Sequence, residues 1–424
     1  MKDVKKTEFK LKKMYIYDIN AVPNAIGIVL SSPAEIKKKL EENWLGFIKA
    51  SSAKLSLGTI DGSSPPSVFV GRYGYPKVRI GPMIPPLHGD TTILDRTELW
   101  AGKSLEEISK YRLSLVLGTM NVNIHDISSR YLESMQELAL SERPAETEAT
   151  FEKGAVVDLH RQKELRLDHE VTPFGPVAPL KGFKVSSPSV DQRIETVYYD
   201  TDLRAAEAMM KLYKRGVEMS IIQRVLSMGM LGVKRNRKLV PTRWSISATD
   251  DIISSMLIKE IGMNPTIDLF EVTQYSHLAN HYSIILIPDH RWIFEMIEFW
   301  FTSQGQVVTE ADNEDERRLN HNPTIAGAYF AARFAVAEHL ARRHKKAGAI
   351  VLREIHPNYV MPLGVWQIRE GVREALKKSP QKFELFDHAM SFACSFMSLS
   401  KSEVLQKSRL WKSLKGQTKI SDFA

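Results

Sequence analysis

Cysteine is almost missing: the 424-residue chain has one, Cys394. A lone cysteine excludes an internal disulfide and any four-cysteine zinc site. Long hydrophobic runs are missing too, and none approaches the roughly 18–20 apolar residues that span a bilayer. The opening MKDVKKTEFKLKK has lysines with no apolar stretch behind them, so no signal peptide is expected. The Gly-x-x-x-x-Gly-Lys phosphate loop, the Gly-x-Gly-x-x-Gly fingerprint, the His-Glu-x-x-His zinc helix and the Gly-x-Ser-x-Gly elbow are all absent. These absences remove the ready routes to naming a reaction without excluding an enzyme. No repeat of fixed period is visible. The expectation is a soluble, cytoplasmic protein with no membrane contact.

What is present suits globular domains. Hydrophobic residues make up 43% of the chain and charged ones 25%, enough to build cores and exclude disorder. The length fits two to three domains at about 100–200 residues each. The formal net charge is +8, and its placement matters more than its size. Residues 1–13 carry six lysines against Asp3 and Glu8, and residues 399–424 carry six basic residues against Glu403 and Asp422. Those two ends hold the whole excess, leaving residues 14–398 formally neutral. Basic ends suit a polyanionic partner, and a solvated surface accounts for them equally well.

The patterning is that of a mixed α+β chain, with a β-rich, turn-rich N-terminal part and a helix-rich C-terminal part. Proline and glycine punctuate residues 51–96 around short β-like runs at 67–72 and 77–80. Helical periodicity is expected at 104–117, 126–141, 202–214, 217–228, 249–260, 292–301, 323–346 and 365–378. Strands are expected at 267–275 and 282–287, paired antiparallel, and at 349–355. The polar stretch 141–155 reads as a loop. A division is expected between residues 288 and 289, so that a basic arm (1–13), two domains (14–288 and 289–398) and a basic tail (399–424) follow in order.

Four constellations carry possible chemistry. In the first, residues 71–82, Arg72, Lys77 and tyrosines alternate with glycines; such a surface stacks bases and meets phosphates, or its tyrosines pack inward around ordinary turns. In the second, Arg235, Arg237, Lys238 and Arg243 lie beside Trp244 in a stretch with no acid. Guanidinium and ammonium groups neutralise phosphates and tryptophan stacks, while an exposed interhelical loop explains the same residues. The third is His277 and His281 with Asp289 and His290. On a helix the first two would share a face and hold a metal, but the flanks read as strand, which favours structural histidines. The fourth is the acidic run 310–316 with His321. Its carboxylates suit a divalent metal at a phosphodiester, or the N-terminal dipole of a helix begun near Pro323. No metal site is otherwise expected.

The final residues, Gln417-Thr-Lys-Ile420-Ser-Asp-Phe423-Ala424, resemble the peptide that docks on the replication sliding clamp, PCNA. Positions three apart share one side of a single 3₁₀ turn, so Ile420 and Phe423 enter one apolar pocket while the Gln417 amide hydrogen-bonds nearby. The motif usually ends in two adjacent aromatics, and here Ala424 stands at the second.

The wider chain resembles the archaeal DNA repair family called Nre. The likeness rests on Phe69-Val-Gly-Arg-Tyr-Gly-Tyr-Pro-Lys-Val, Arg237-Lys-Leu-Val-Pro-Thr-Arg-Trp-Ser-Ile and His321-Asn-Pro-Thr-Ile-Ala-Gly-Ala-Tyr-Phe. Ala349-Ile-Val-Leu-Arg-Glu-Ile and Met361-Pro-Leu-Gly-Val-Trp-Gln-Ile-Arg-Glu-Gly-Val-Arg add to it. The resemblance implies a DNA damage repair factor with an N-terminal and a C-terminal family domain, here 14–288 and 289–398. It also implies recruitment to the clamp through Gln417, Ile420 and Phe423. The cysteine-rich zinc element of some members has no counterpart before Cys394. DNA and other repair proteins are the further expected partners, association with the nucleoid is expected while on DNA, and no cofactor is expected. The alternative is a repair enzyme, a nuclease or nucleotide-processing hydrolase that uses the acidic run with a divalent metal.

Overall fold

The computed structural model describes residues 33–39, 41–42, 45–46, 58–152, 174–186, 188–315 and 323–416, with backbone alone for 413–416. The arm at 1–13, His321 and the clamp-like residues 417–424 lie outside the described residues. The fold is α+β and holds two six-stranded mixed sheets.

The first sheet has the order β1 (Thr59–Ser64), β5 (Ala145–Phe151), β6 (Val177–Ser186), β4 (Val116–Asn123), β3 (Lys77–Ile84), β2 (Val68–Val70). All neighbours are antiparallel except the β4–β6 pair. At the start of β3, Val78 and Ile80 turn inward while Lys77 and Arg79 stay exposed, as the two-residue period of a strand requires. The expected loop at 141–155 contains β5: Ala145, Thr147, Ala149 and Phe151 are buried in strict alternation, a half-buried strand written in small residues.

Helices cover this sheet. The helices α1 (Leu105–Leu113), α2 (Arg130–Leu140), α3 (Gln192–Tyr199), α4 (Ala205–Lys214) and α5 (Met219–Ser227) lead to α6 (Thr242–Ile261). Met135 and Leu138 of α2, Met209 and Leu212 of α4, and Ile222 and Val225 of α5 join one core with Val78 and Ile80. The helix expected from 249 starts seven residues earlier, at Thr242, directly after Pro241.

The second sheet has the order β10 (Val307–Glu314), β9 (Phe294–Phe301), β11 (Gly348–Ile355), β8 (Asn280–Ile287), β7 (Phe270–His277), β12 (Gln381–Phe383). The boundary expected between 288 and 289 runs through this sheet, since β8 precedes it and pairs with β11, which follows it. Both faces are covered. Tyr282, Ile284, Met296 and Val351 meet α7 (Gly327–Arg342) and α8 (Trp366–Lys377), while Ile285, Ile297 and Leu352 meet α9 (Phe386–Ser395). Burial on both faces leaves its inner strands without polar alternation, and residues 294–301, expected as a helix, are the strand β9. Gly371 lets α8 lie flat on β8, because an added Cβ would come within 2.5 Å of the Tyr282 ring.

The helices α6 and α7 form the joint between the layers. Ile253 and Leu257 of α6 pack in the first core and Ile261 in the second; Phe334 of α7 is in the first and Tyr329 in the second. The basic tail begins as structure. Its helices α10 (Lys401–Lys407) and α11 (Arg409–Gly416) dock on the second sheet, with Val404 and Leu410 in the core and Trp411 stacked on Phe386 at 4.8 Å. Among the described residues, no helix is long and apolar enough to cross a membrane.

Candidate nucleic-acid interface and an arginine cavity

Two stretches that the sequence separates by some 170 positions meet in space. Tyr73 and Tyr75 stand on the turn between β2 and β3, where Gly74 adopts φ +84°, a conformation that favours glycine. Trp244 lies in the first turn of α6. Its ring faces that of Tyr75 at 5.4 Å with a 52° tilt, and both remain open to solvent, 44% and 43% exposed. Tyr73 is 77% exposed, with the Arg72 guanidinium 4.9 Å from its ring centre. Backbone bonds hold the two stretches together: Ile124 N donates to Pro76 O (3.0 Å) and Leu239 N to Ile124 O (2.9 Å). Val70 N also donates to Thr242 Oγ1 at 2.9 Å, fixing the edge strand to the start of α6.

The cations of these two stretches are not uniformly exposed. Lys77, Arg79, Lys234, Arg235 and Lys238 are exposed. Arg237 turns back into the fold, donating to Gly232 O (2.7 Å) and Asp200 O (3.2 Å) over the Tyr198 ring, and burial lowers its pKa. Arg237 is thus a structural residue of the loop, unlike Arg235 and Lys238 beside it. Arg243 is half-buried next to Trp244.

Behind this surface lies a cavity of about 90 Å³ where the first sheet, α1, α5, α6 and α8 converge. Three guanidinium groups line it: Arg112, Arg224 and Arg369. A Ser104–Glu107 capping box starts α1, whose last turn carries Arg112. Arg112 pairs with Asp95 and reaches Met83 Sδ at 3.2 Å; burial still pulls its pKa below the usual value. Arg224 donates to the carbonyls of Ala139 (3.2 Å) and Ser141 (3.3 Å), and has no ion pair among the described residues. Burial pulls it down to about 10, so it stays charged at neutral pH. Arg369 has no solvent exposure and grips Asp250 through Nε (3.1 Å) and Nη2 (3.0 Å). Its third nitrogen, Nη1, is buried and has no hydrogen-bond partner. The wall also holds the edge-to-face pair of Trp366 and, behind it, Trp100 at 5.1 Å. No spacing in the chain announces this site; its arginines come from three distant helices, and their burial is a tertiary event.

The other two constellations resolve into ordinary structure. Leu278 and Ala279 take φ of 52° and 55°, the pattern of a two-residue hairpin turn, so His277 ends β7 and His281 lies in β8. His277 Nε2 lies 2.8 Å from Lys103 O and His281 Nδ1 3.1 Å from Ser276 Oγ. Desolvation depresses both pKa values. The acidic run forms β10. Asp312 receives Thr324 Oγ1 (3.0 Å) and Ile325 N (2.8 Å) ahead of α7, and Glu314 receives Arg333 Nε (2.6 Å) and Trp292 Nε1 (2.5 Å). Arg353 belongs to a separate group with Glu298, Asn280 and Gln367. Among the described residues, no group of three potential ligands could hold a metal ion.

Among the described residues, the assembled feature is an exposed aromatic face, not a converging set of carboxylates. Comparison with known proteins gives the family. Residues 39–304 match the model of the archaeal Nre N-terminal region, and residues 314–423 that of the archaeal Nre C-terminal region. DNA repair protein NreB of Archaeoglobus fulgidus is 40% identical over 359 residues, covering 83% of this chain and 88% of the relative. DNA repair protein NreA of the same organism is 37% identical over 78% and 83% of the two chains. DNA repair protein NreA of Haloferax volcanii is 33% identical over 86% and 88%. The chain belongs to the archaeal Nre family. No solved structure matches it.

Proposed function

We propose that this protein is a DNA repair factor that lays a DNA strand across the Tyr73–Tyr75–Trp244 face and is recruited to the sliding clamp through Gln417, Ile420 and Phe423. The observation that carries the DNA reading is the meeting of Tyr75 and Trp244 in one exposed aromatic step. Aromatic rings stack on any base, and flanking cations follow the backbone, so such a face binds single strands with little sequence preference. The formal charge supports a local face: the body is neutral overall, so attraction to DNA depends on where its cations stand. The names of the relatives supply the repair context. Clamp recruitment is supported by the three-residue spacing beyond α11 and by the resemblance of that peptide to clamp ligands.

The DNA reading is tested by fluorescence anisotropy with hydroxyl-ended single strands and duplexes over a range of salt. Loss of one stacking ring costs about 1–3 kcal/mol, so Trp244→Ala should weaken single-strand binding about ten-fold or more with melting temperature unchanged. Replacing Arg235 and Lys238 together by alanine should lower the salt slope by about 1.5 to 2, with little effect on sequence preference. Full affinity in the first variant together with an unchanged slope in the second would reject this face as the DNA site.

A further inference from the structure

The cavity behind the DNA face has features that strand binding does not use. Arg369 is completely buried, yet a full N–H₂ group of its guanidinium has no partner. A buried donor without an acceptor carries a desolvation cost that native folds almost always avoid, and a functional ligand or ion is among the few explanations. Arg224 sharpens the point. Its hydrogen bonds end on two neutral carbonyls, and no carboxylate offsets its charge at contact distance among the described residues. Among the described lining residues the carboxylate is Asp95, already bound to Arg112, while Asp250, the partner of Arg369, and Glu98 stand behind the wall. Glu98 is itself engaged: burial pushes its pKa up, but the Ser220 amide and the Arg369 charge outweigh that and keep it ionised. Arg112 and Arg369 are thus each paired with a carboxylate, and Arg224 is the lining guanidinium without an ion pair among the described residues.

Several hydroxyl groups around the cavity are occupied. Ser227 Oγ donates to Val240 O (2.7 Å), Ser245 Oγ to Thr242 O (2.9 Å) and Ser220 Oγ to Glu98 (2.8 Å). The donors left for a ligand are the Ser67 hydroxyl and guanidinium nitrogens, and the latter select anions over neutral polar molecules and match the oxygens of a phosphate. Size narrows the choice. A space of about 90 Å³ admits several waters but is well below the roughly 300–1,000 Å³ of sites that enclose whole organic ligands. A phosphodiester bears one charge and an ester arm on each side. A phosphate monoester has only one arm, so its phosphoryl group can fill a small cavity from one side and meet the Arg224 guanidinium there.

We propose that this cavity is an anion site that takes a phosphate monoester, held by Arg369 Nη1 and the Arg224 and Arg112 guanidinium groups. A free nucleotide and the phosphorylated end of a nucleic-acid strand present the same group.

The test uses the full chain and needs no DNA binding at the aromatic face. Inorganic phosphate is titrated by calorimetry and by thermal unfolding, against chloride at matched ionic strength. Saturable heat and a rise in melting temperature specific to phosphate are expected, with deoxyadenosine 5′-monophosphate competing and deoxyadenosine inert. Arg224→Gln should weaken phosphate binding at least ten-fold. Should that variant not fold, the wild-type competition alone decides. Competition by a 5′-phosphorylated oligonucleotide, with none by its hydroxyl-ended twin in Trp244→Ala protein, identifies a strand end as the source. Competition by the mononucleotide alone identifies a small molecule, and either result supports the monoester site. A phosphate response no different from chloride, or one that Arg224→Gln leaves intact, overturns the proposal.

Discussion

Glu314 and Arg333 show at the scale of residues what becomes of an acidic run once the chain folds. Alternation along β10 turns Glu314 inward, where it is 4% exposed. Arg333, in the second turn of α7 and equally buried, meets it and also donates to Ser254 Oγ (2.7 Å) and Ser255 Oγ (3.1 Å) of α6. This contact pins the second sheet to the α6–α7 joint. The pair is worth little compared with an apolar one of the same shape, but breaking it leaves a bare carboxylate inside. Arg333→Ala should therefore lower stability by about 3–5 kcal/mol in urea unfolding, and pairing it with Glu314→Leu should recover part of that loss. A single-variant loss below about 1 kcal/mol would show that water reaches Glu314. The same engagement explains why the run, which in sequence suits a metal-dependent nuclease, gathers no catalytic set among the described residues.

Elements differ in how far the sequence discloses them. The hairpin of β7 and β8, the strand β11 and the helices α7 and α8 are legible because their apolar periods are clean and their ends carry ordinary stop signals. Phe294–Phe301 is not, because a strand buried on both faces shows no two-residue polar period, and its two acids, Glu295 and Glu298, stand three apart as on a helix. The docked tail is illegible for the opposite reason. Its lysines dominate the composition, and only Val404, Leu410 and Trp411 reveal a face that packs. A long-range contact completes that docking. Glu295 of β9 accepts Arg409 N (2.6 Å) and Ser408 Oγ (2.5 Å), so a strand carboxylate caps the N-terminus of α11. Burial raises the pKa of Glu295 against these donors, which makes the ionised cap a local compromise. Loss of a cap costs about 0.5–2 kcal/mol. Glu295→Gln should thus speed amide hydrogen exchange across 409–412 by about ten-fold, while exchange in β8 and β11 stays slow. Uniform acceleration throughout the sheet would mean that Glu295 supports the core and not the tail.

At the scale of the whole molecule, the functional parts sit apart. The aromatic face was readable in pieces, since Arg72, Lys77 and the 235–244 stretch stand out in the sequence, but their union needs the fold. The cavity arginines were not readable at all, because residues 112, 224 and 369 acquire a common meaning only through burial. The tail helices dock on the second sheet, away from the first-sheet edge that carries Tyr73 and Tyr75. Residues 417–424 follow α11 in the sequence, so the proposed clamp contact and the proposed DNA face draw on different parts of the chain. Two attachments on one chain, as proposed, would raise each other's effective concentration as long as both can engage at once.

That separation makes clamp binding testable without disturbing the rest. A short peptide loses conformational freedom when it orders, so affinity must come from well-filled pockets. Ile420 and Phe423 would supply about 1.5–3 kcal/mol each if fully buried, and the Gln417 amide would set the register. Phe423→Ala should weaken binding to the cognate clamp about ten- to a hundred-fold. Ala424→Phe should strengthen it by adding the second aromatic that the motif usually has. Calorimetry of the three proteins measures both shifts, and anisotropy on free single strands should show no change in any of them. Removal of residues 417–424 should abolish clamp binding while leaving DNA affinity as it was. Should the shortened protein bind the clamp as well as the full chain, the contact lies on the folded body, and the three-residue spacing of the tail is an accident of composition.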